Sequence, residues 1–263
     1  MNAIKELFRE KQPFIGFVVG GDGGLQYCTE CCLELIEGGV DILEIGLPFS
    51  DPVADGPVIQ RASERSLSGG TTSATILEIA RNIRKKSRVP LILFSYYNPL
   101  LKQGDSYLQD LKSAGFNGVL VVDLPPPIQN KDHPFFRSLE AANLIPIFVI
   151  APSTEEARLV QITKIANSFL YYACRKGTTG IRNQLPEDLS FQISRIRQKT
   201  NLPIAIGFGI ADPKSVTVAL SEADGFVVGS AFVKLMERHA DPTELKALAQ
   251  SLNLHSNIEE TRS

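Results

Sequence analysis

Eight short apolar runs, each followed by a segment of helix length, constrain this chain more than any other feature. They are Phe14–Gly20, Val40–Ile45, Val89–Ser95, Gly118–Asp123, Leu144–Ile150, Phe169–Ala173, Pro203–Gly207 and Gly225–Gly229. Runs that are apolar nearly throughout mark strands of a parallel sheet covered on both faces. The intervening segments Leu25–Glu37, Ser73–Lys86, Ser106–Ala114, Phe135–Ala142, Thr154–Ile165, Leu189–Gln198, Pro213–Leu220 and Ala231–Arg238 read as helices. Two helix starts are explicit: Ser153 with Glu156 reads as a capping box, and Asp212-Pro213 as a cap followed by proline in the first turn.

Eight β-then-α units without a break predict an α/β fold, a single-domain (β/α)8 TIM barrel over residues 1–263. An open dinucleotide-binding sheet would carry GxGxxG at the first strand–helix turn. That turn is Gly20-Gly21-Asp22-Gly23-Gly24, rich in glycine but without the pattern. Most runs start 22 to 29 residues apart, but 49 separate Val40 from Val89 and 34 separate Phe169 from Pro203. Surplus residues in a barrel emerge at the carboxyl ends of the strands, so 46–70 and 174–186 are the expected substrate-covering loops.

Charge excludes several functions. The 27 Lys and Arg nearly balance 29 Asp and Glu, and no basic block offers a grip on nucleic acid or an anionic membrane. Neither a signal peptide nor an apolar run of ~18 residues is legible. Cys28, Cys31 and Cys32 lack the second paired cluster a structural zinc site wants, so no metal is expected and the four cysteines read as ordinary thiols. Free thiols without an export signal point to the cytoplasm.

The chemistry concentrates on carboxylates. Glu44 lies near the end of the second apolar run, where a buried unpaired carboxylate costs several kcal/mol unless it has a task. Burial raises its pKa toward the range of a general acid. In the proline-rich loop that follows, Asp51 and Asp55 each qualify as a second catalytic group, and spacing does not choose between them. Asp41 reads as a cap or turn partner. Gly177-Thr178-Thr179-Gly180, Gly207-Phe208-Gly209-Ile210 and Gly229-Ser230 form a glycine-marked set late in the chain, where barrels bind phosphate through backbone amides and a helix start. No lysine stands on the sixth run for a Schiff base, and His133, His239 and His255 are not at strand ends. The residues leave carboxylate acid–base chemistry on a phosphorylated small molecule, as an isomerase or a carbon–carbon lyase.

The eighteen residues from Leu43 to Gln60, LEIGLPFSDPVADGPVIQ, resemble the signature of tryptophan synthase alpha chains. Tyr97-Asn98-Pro99, Asp123-Leu124-Pro125-Pro126, Thr179-Gly180, Gly207-Phe208-Gly209-Ile210 and Gly229-Ser230-Ala231 extend the resemblance along the chain. It implies retro-aldol cleavage of indole-3-glycerol phosphate to indole and glyceraldehyde 3-phosphate, with no cofactor in this chain. It implies Glu44 as proton shuttle and Asp55 as the acceptor for the indole N–H, with Asp51 left to loop closure and communication between subunits. Tyr171 becomes a supporting residue. Phe17, Phe94 and Ile59 line the indole pocket, and Gly180, Gly209, Gly229 and Ser230 hold the phosphate. The resemblance also implies a pyridoxal-phosphate beta chain as partner in an αββα heterotetramer. Gly23 where the family has a proline, Pro127-Ile128 in place of an acidic residue, and Thr178 for a valine depart from the pattern. These loops locate any change in behaviour at the coupling to a beta chain, while the chemistry stays in place.

Overall fold

The eight apolar runs become eight parallel strands: β1 (Phe14–Val19), β2 (Ile42–Gly46), β3 (Leu91–Ser95), β4 (Gly118–Val121), β5 (Ile145–Ile150), β6 (Leu170–Ala173), β7 (Ile204–Gly207) and β8 (Gly225–Val228). They pair in chain order, and β8 closes on β1 through Phe14↔Phe226, Ile15↔Val227 and Gly16↔Val228. The computed structural model describes residues 3–126, 133–174, 188–207 and 209–254.

Twelve helices surround the sheet among the described residues: α1 (Ala3–Glu10), α2 (Leu25–Glu37), α3 (Pro57–Ser68), α4 (Ser73–Arg84), α5 (Tyr97–Gln103), α6 (Asp105–Ala114), α7 (Pro134–Ala141), α8 (Glu156–Ile165), α9 (Leu189–Arg197), α10 (Pro213–Glu222), α11 (Ser230–Glu237) and α12 (Pro242–Leu252). None is long and apolar enough to cross a membrane.

Alternation along the strands sorts side chains into two cores. Ile15, Ile42, Ile92, Leu120, Ile147, Phe169, Ala205 and Val227, one from or beside each strand, fill the barrel interior. Leu43, Ile45, Leu91, Leu93, Leu170 and Tyr172 point outward and pack beneath the helices. Helix α1 plugs the amino-terminal end: Ile4 is fully buried, and Phe8 stacks on Phe169 at 4.9 Å. A packed floor at this end leaves the carboxyl ends of the strands as the open side.

Asp41 has the structural part expected of it. Its Oδ2 accepts the Phe14 N–H at 3.0 Å, and Lys11 pairs with the same carboxylate. Cys28, Cys31, Cys32 and Cys174 are buried and unbridged. Among the described residues no three potential metal ligands converge.

The structure corrects two readings. First, α1, α3, α5 and α12 were not legible as helices. Helix α3 fills 57–68, so the irregular part of the 46–70 loop is 47–56. Its buried positions are Ile59, Ala62, Ser63 and Ser66, too small and polar to make an apolar stripe. Second, the Ser153 capping box does not form. Residues 151–154 close a turn in which Thr154 Oγ1 accepts the Ala151 N–H at 2.9 Å, and α8 starts later, from Glu155, without a side-chain cap. The Asp212 cap does form, reciprocally with Ser215. His133, away from any strand end, begins α7, where its ring accepts the Phe135 N–H.

Candidate active site

Register decides where Glu44 points. Ile42 lies in the barrel interior, so Glu44, two residues on, faces the same axis. It stands beside Phe17 on β1 and Ile92 on β3. The side chain is fully buried, and neither carboxyl oxygen has a hydrogen-bond partner among the described residues. Burial alone pushes its pKa up to about 8. At neutral pH this group holds its proton.

Asp55 sits in the stretch between β2 and α3 and is 6% exposed. Its loop is held from three sides. Asp55 N–H donates to Pro52 O at 3.0 Å, Gln60 Nε2 donates to Asp55 O at 2.9 Å, and the Tyr96 hydroxyl donates to Asp55 Oδ2 at 2.9 Å. Burial raises the carboxyl to about 6, while the Tyr96 hydrogen bond pulls it down. Two acids of one site are thus tuned apart, Glu44 protonated and Asp55 mostly ionised near neutrality. Asp51 is exposed and bonded to Ser50 Oγ at 2.6 Å, on the solvent side of the loop. Sequence reasoning passed over Tyr96, although its neighbours Tyr97-Asn98-Pro99 carried part of the resemblance. A tyrosine directly after a barrel strand was the available signal.

Aromatic side chains cluster beside Glu44. Phe17 and Phe94 meet edge to face with centroids 5.2 Å apart, and Ile59 from α3 joins the same apolar cluster. Tyr171 projects inward from β6, its phenol pushed well above the ordinary range by burial and by the neighbouring charges of Glu44, Cys174 and Asp55. Three strand-end glycines make room for these rings. A Cβ on Gly46 would lie 3.0 Å from the Phe17 ring, one on Gly229 would lie 3.2 Å from it, and one on Gly207 would lie 2.6 Å from the Tyr171 hydroxyl.

The glycine-marked positions singled out in the late part of the sequence lie after β7 and β8, with Gly229 packed beside Phe17. Gly209 has a positive φ of 86°, which glycine alone adopts without strain. Gly229 caps α11, and Ser230 begins it, 8% exposed. The Val233 N–H is the first in α11 to bond back, to Gly229 O, so the amides of Ser230, Ala231 and Phe232 precede the helix's own ladder. Amides in this position favour an anion. Gly180, with the rest of 175–187, lies outside the described residues, as do Pro127, Ile128, Phe208 and His255. A separate cleft of about 570 Å³, bordered by Lys112, Asn117, Glu140 and Asn143, opens at the amino-terminal end and touches none of these residues.

A closed (β/α)8 barrel with two unlike buried carboxylic acids, and a helix start whose leading amides precede its own ladder, at its carboxyl face defines an acid–base barrel enzyme. The chain belongs to the tryptophan synthase alpha chain family, whose model matches residues 4–262. It is 55% identical to the tryptophan synthase alpha chain of Chlamydia felis over 96% of this chain and 99% of that one. With the Coxiella burnetii alpha chain it shares 47% identity over 97% and 98% of the two chains. Among solved structures, tryptophan synthase from Mycobacterium tuberculosis superposes with a TM-score of 0.86 at 29% identity, covering 95% of both chains. The alpha chain from Legionella pneumophila gives 0.84 at 31% identity over 96% of each.

Proposed function

We propose that Glu44 is the proton shuttle, and Asp55 the charge-bearing partner, in the cleavage of indole-3-glycerol phosphate to indole and glyceraldehyde 3-phosphate. The enzyme is a carbon–carbon lyase of tryptophan biosynthesis. The observation that carries the assignment is the fully buried Glu44 carboxyl, without a partner among the described residues, beside aromatic rings. An acid held protonated there can give its proton to C3 of the indole, which turns the ring into an electron sink. Asp55 accepts the ring N–H and offsets the positive charge that develops on nitrogen. Glu44, now a carboxylate, takes the proton of the adjacent glycerol hydroxyl. The bond from indole C3 to that carbon breaks, its electrons return to the ring, and the aldehyde forms. Protons and electrons balance without a further reactant.

Phe17, Phe94 and Ile59 bury the indole, Tyr171 supports its edge, and Gly209, Gly229 and Ser230 take the phosphate together with Gly180. The partner is a beta chain, in an αββα assembly that receives the indole. Exposed Val53 on the Asp55 loop and Leu101 on α5 supply apolar contact area at the carboxyl face, 77% and 62% exposed respectively. The setting is the cytoplasm.

Indole release from indole-3-glycerol phosphate, with and without a beta chain, tests the assignment. Glu44→Gln should lose at least ~100-fold in kcat while keeping most of its affinity for glycerol 3-phosphate. Asp55→Asn should lose a comparable factor, because a neutral amide cannot offset the ring charge. Near-normal turnover in Glu44→Gln, or a mere twofold effect in Asp55→Asn, would overturn the respective role.

A further inference from the structure

An ion-pair relay behind the active site ties together three segments that deliver its parts. Asp22, in the glycine-rich turn after β1, is 1% exposed, and its two oxygens accept from Arg65 Nε at 3.0 Å and Nη2 at 2.7 Å. The third arm of the Arg65 fork, Nη1, reaches Glu237 Oε1 at 3.1 Å. Glu237 in turn accepts from Arg61 Nε at 2.6 Å and Nη2 at 3.0 Å. Arg61 and Arg65 lie one turn apart on α3, and Glu237 is the last residue of α11.

We propose that Arg65 is a positioning residue for cleavage, locking α3 to α11 and to the turn after β1 so that Asp55 and the phosphate-binding helix start keep a fixed separation. The inference rests on the reading of Asp55 and Ser230 as the two ends of the substrate site. Helix α3 starts two residues after Asp55 and carries Ile59 into the apolar wall. Helix α11 starts at Ser230. The two helices meet over Phe17 through Ile59, Ala62 and Val233, an apolar contact that sets their distance but permits sliding. A bidentate Arg–carboxylate pair adds direction, because the planar fork fits its partner in one orientation.

Charge placement explains why these residues are used. Glu237 stands at a helix carboxyl terminus, where its charge is disfavoured, and the two arginines offset that cost. Both contacts hold its carboxyl below the usual carboxylate range. The turn after β1 gains most from the anchor. Gly21, Gly23 and Gly24 all have positive φ, so this stretch has little stiffness of its own. Asp22 gripped by Arg65, with Ser66 Oγ donating to Gly20 O at 2.7 Å, gives the turn one conformation. The proline that the family resemblance leads one to expect there is replaced by a side-chain tether from α3.

The test is steady-state cleavage by the full chain with a beta chain, alongside calorimetric titration of glycerol 3-phosphate and thermal melting. Arg65→Met should lower kcat/KM by ~10-fold or more, with KM and the glycerol 3-phosphate Kd both rising, since small displacements of positioning groups are costly. Arg65→Lys, which keeps a charge but not the fork, should fall between Met and wild type. Arg61→Met cuts the more exposed pair and leaves Asp22 bound, so its kcat/KM should stay within about twofold. A merely structural role would lower the melting temperature and leave KM and Kd of the folded protein unchanged. That result, or an Arg65→Met kcat/KM within twofold of wild type, overturns the proposal. If Arg65→Met does not fold, Asp22→Asn takes its place with the same expected and overturning results. Glycerol 3-phosphate binding keeps the two readings apart, because it reports on the phosphate end without needing Glu44.

Discussion

Tyr96 grips the loop between β2 and α3 at two adjacent residues: its hydroxyl donates to Asp55 Oδ2 at 2.9 Å and accepts the Ala54 N–H at 3.0 Å. The ring also packs against Phe49 with centroids 5.2 Å apart. One side chain at the end of β3 thus fixes both the position and the acidity of a carboxylate that arrives from the loop after β2.

Tyr96→Phe removes the donor that stabilises ionised Asp55 and keeps the ring. With the hydrogen bond gone, the Asp55 pKa moves further above about 6. A rising pKa shrinks the ionised fraction at low pH first. The acid limb of the kcat/KM profile should therefore shift upward, with a larger loss at pH 6 than at pH 8. An unshifted limb would show that the hydroxyl does not tune this carboxyl.

Stability should fall with pH through the neutral range. The folded Glu44 pKa, about 8, lies above the ordinary value of 4.5, so between those pH values the folded chain keeps a proton that the unfolded chain releases. The contribution is fully present below the ordinary value and is lost as pH rises through the folded one. The effect is on the order of 4 kcal/mol from pH 5 to 8, and Asp55 adds to it in the same direction. Glu44→Gln should flatten most of this slope and be more stable than wild type at pH 8. Urea titrations at three pH values check it, and parallel slopes for the two proteins would refute it.

Gly207→Ala should be destabilising by about 1–3 kcal/mol through overpacking, because the new methyl would meet the Tyr171 hydroxyl at 2.6 Å. Combining it with Tyr171→Phe removes the clashing oxygen. The double mutant should then be less destabilised than the sum of the single changes, as chemical denaturation of the four proteins would show. Strict additivity would place the strain elsewhere.

Much of the barrel was legible because each strand is short, apolar and separated by a helix-length segment. The bounds of α2 were read to the residue. The missed helices have local reasons. Helix α3 buries serines, and α1 mixes charged residues with apolar ones that matter only because Ile4 and Phe8 enter the barrel floor. In the site, Glu44 stood out as a carboxylate on an apolar strand. Tyr96 and Arg65 did not, because a tyrosine after a strand and an arginine on a helix are ordinary until their partners, 41 and 43 residues away in sequence, are known.

The sequence by itself determined the eight β-then-α units, the presence of a costly acid near a strand end, and the family. Local pattern suffices for these, since alternation, glycine placement and a contiguous signature are all written within a few residues. Tertiary structure alone decided that Glu44 faces the axis with no partner among the described residues, that Asp55 rather than Asp51 is buried, and that Asp22, Arg65 and Glu237 form one chain of charges. The reason is physical: pKa, burial and ion pairing depend on the neighbours that barrel closure brings within a few ångströms, not on the neighbours along the chain.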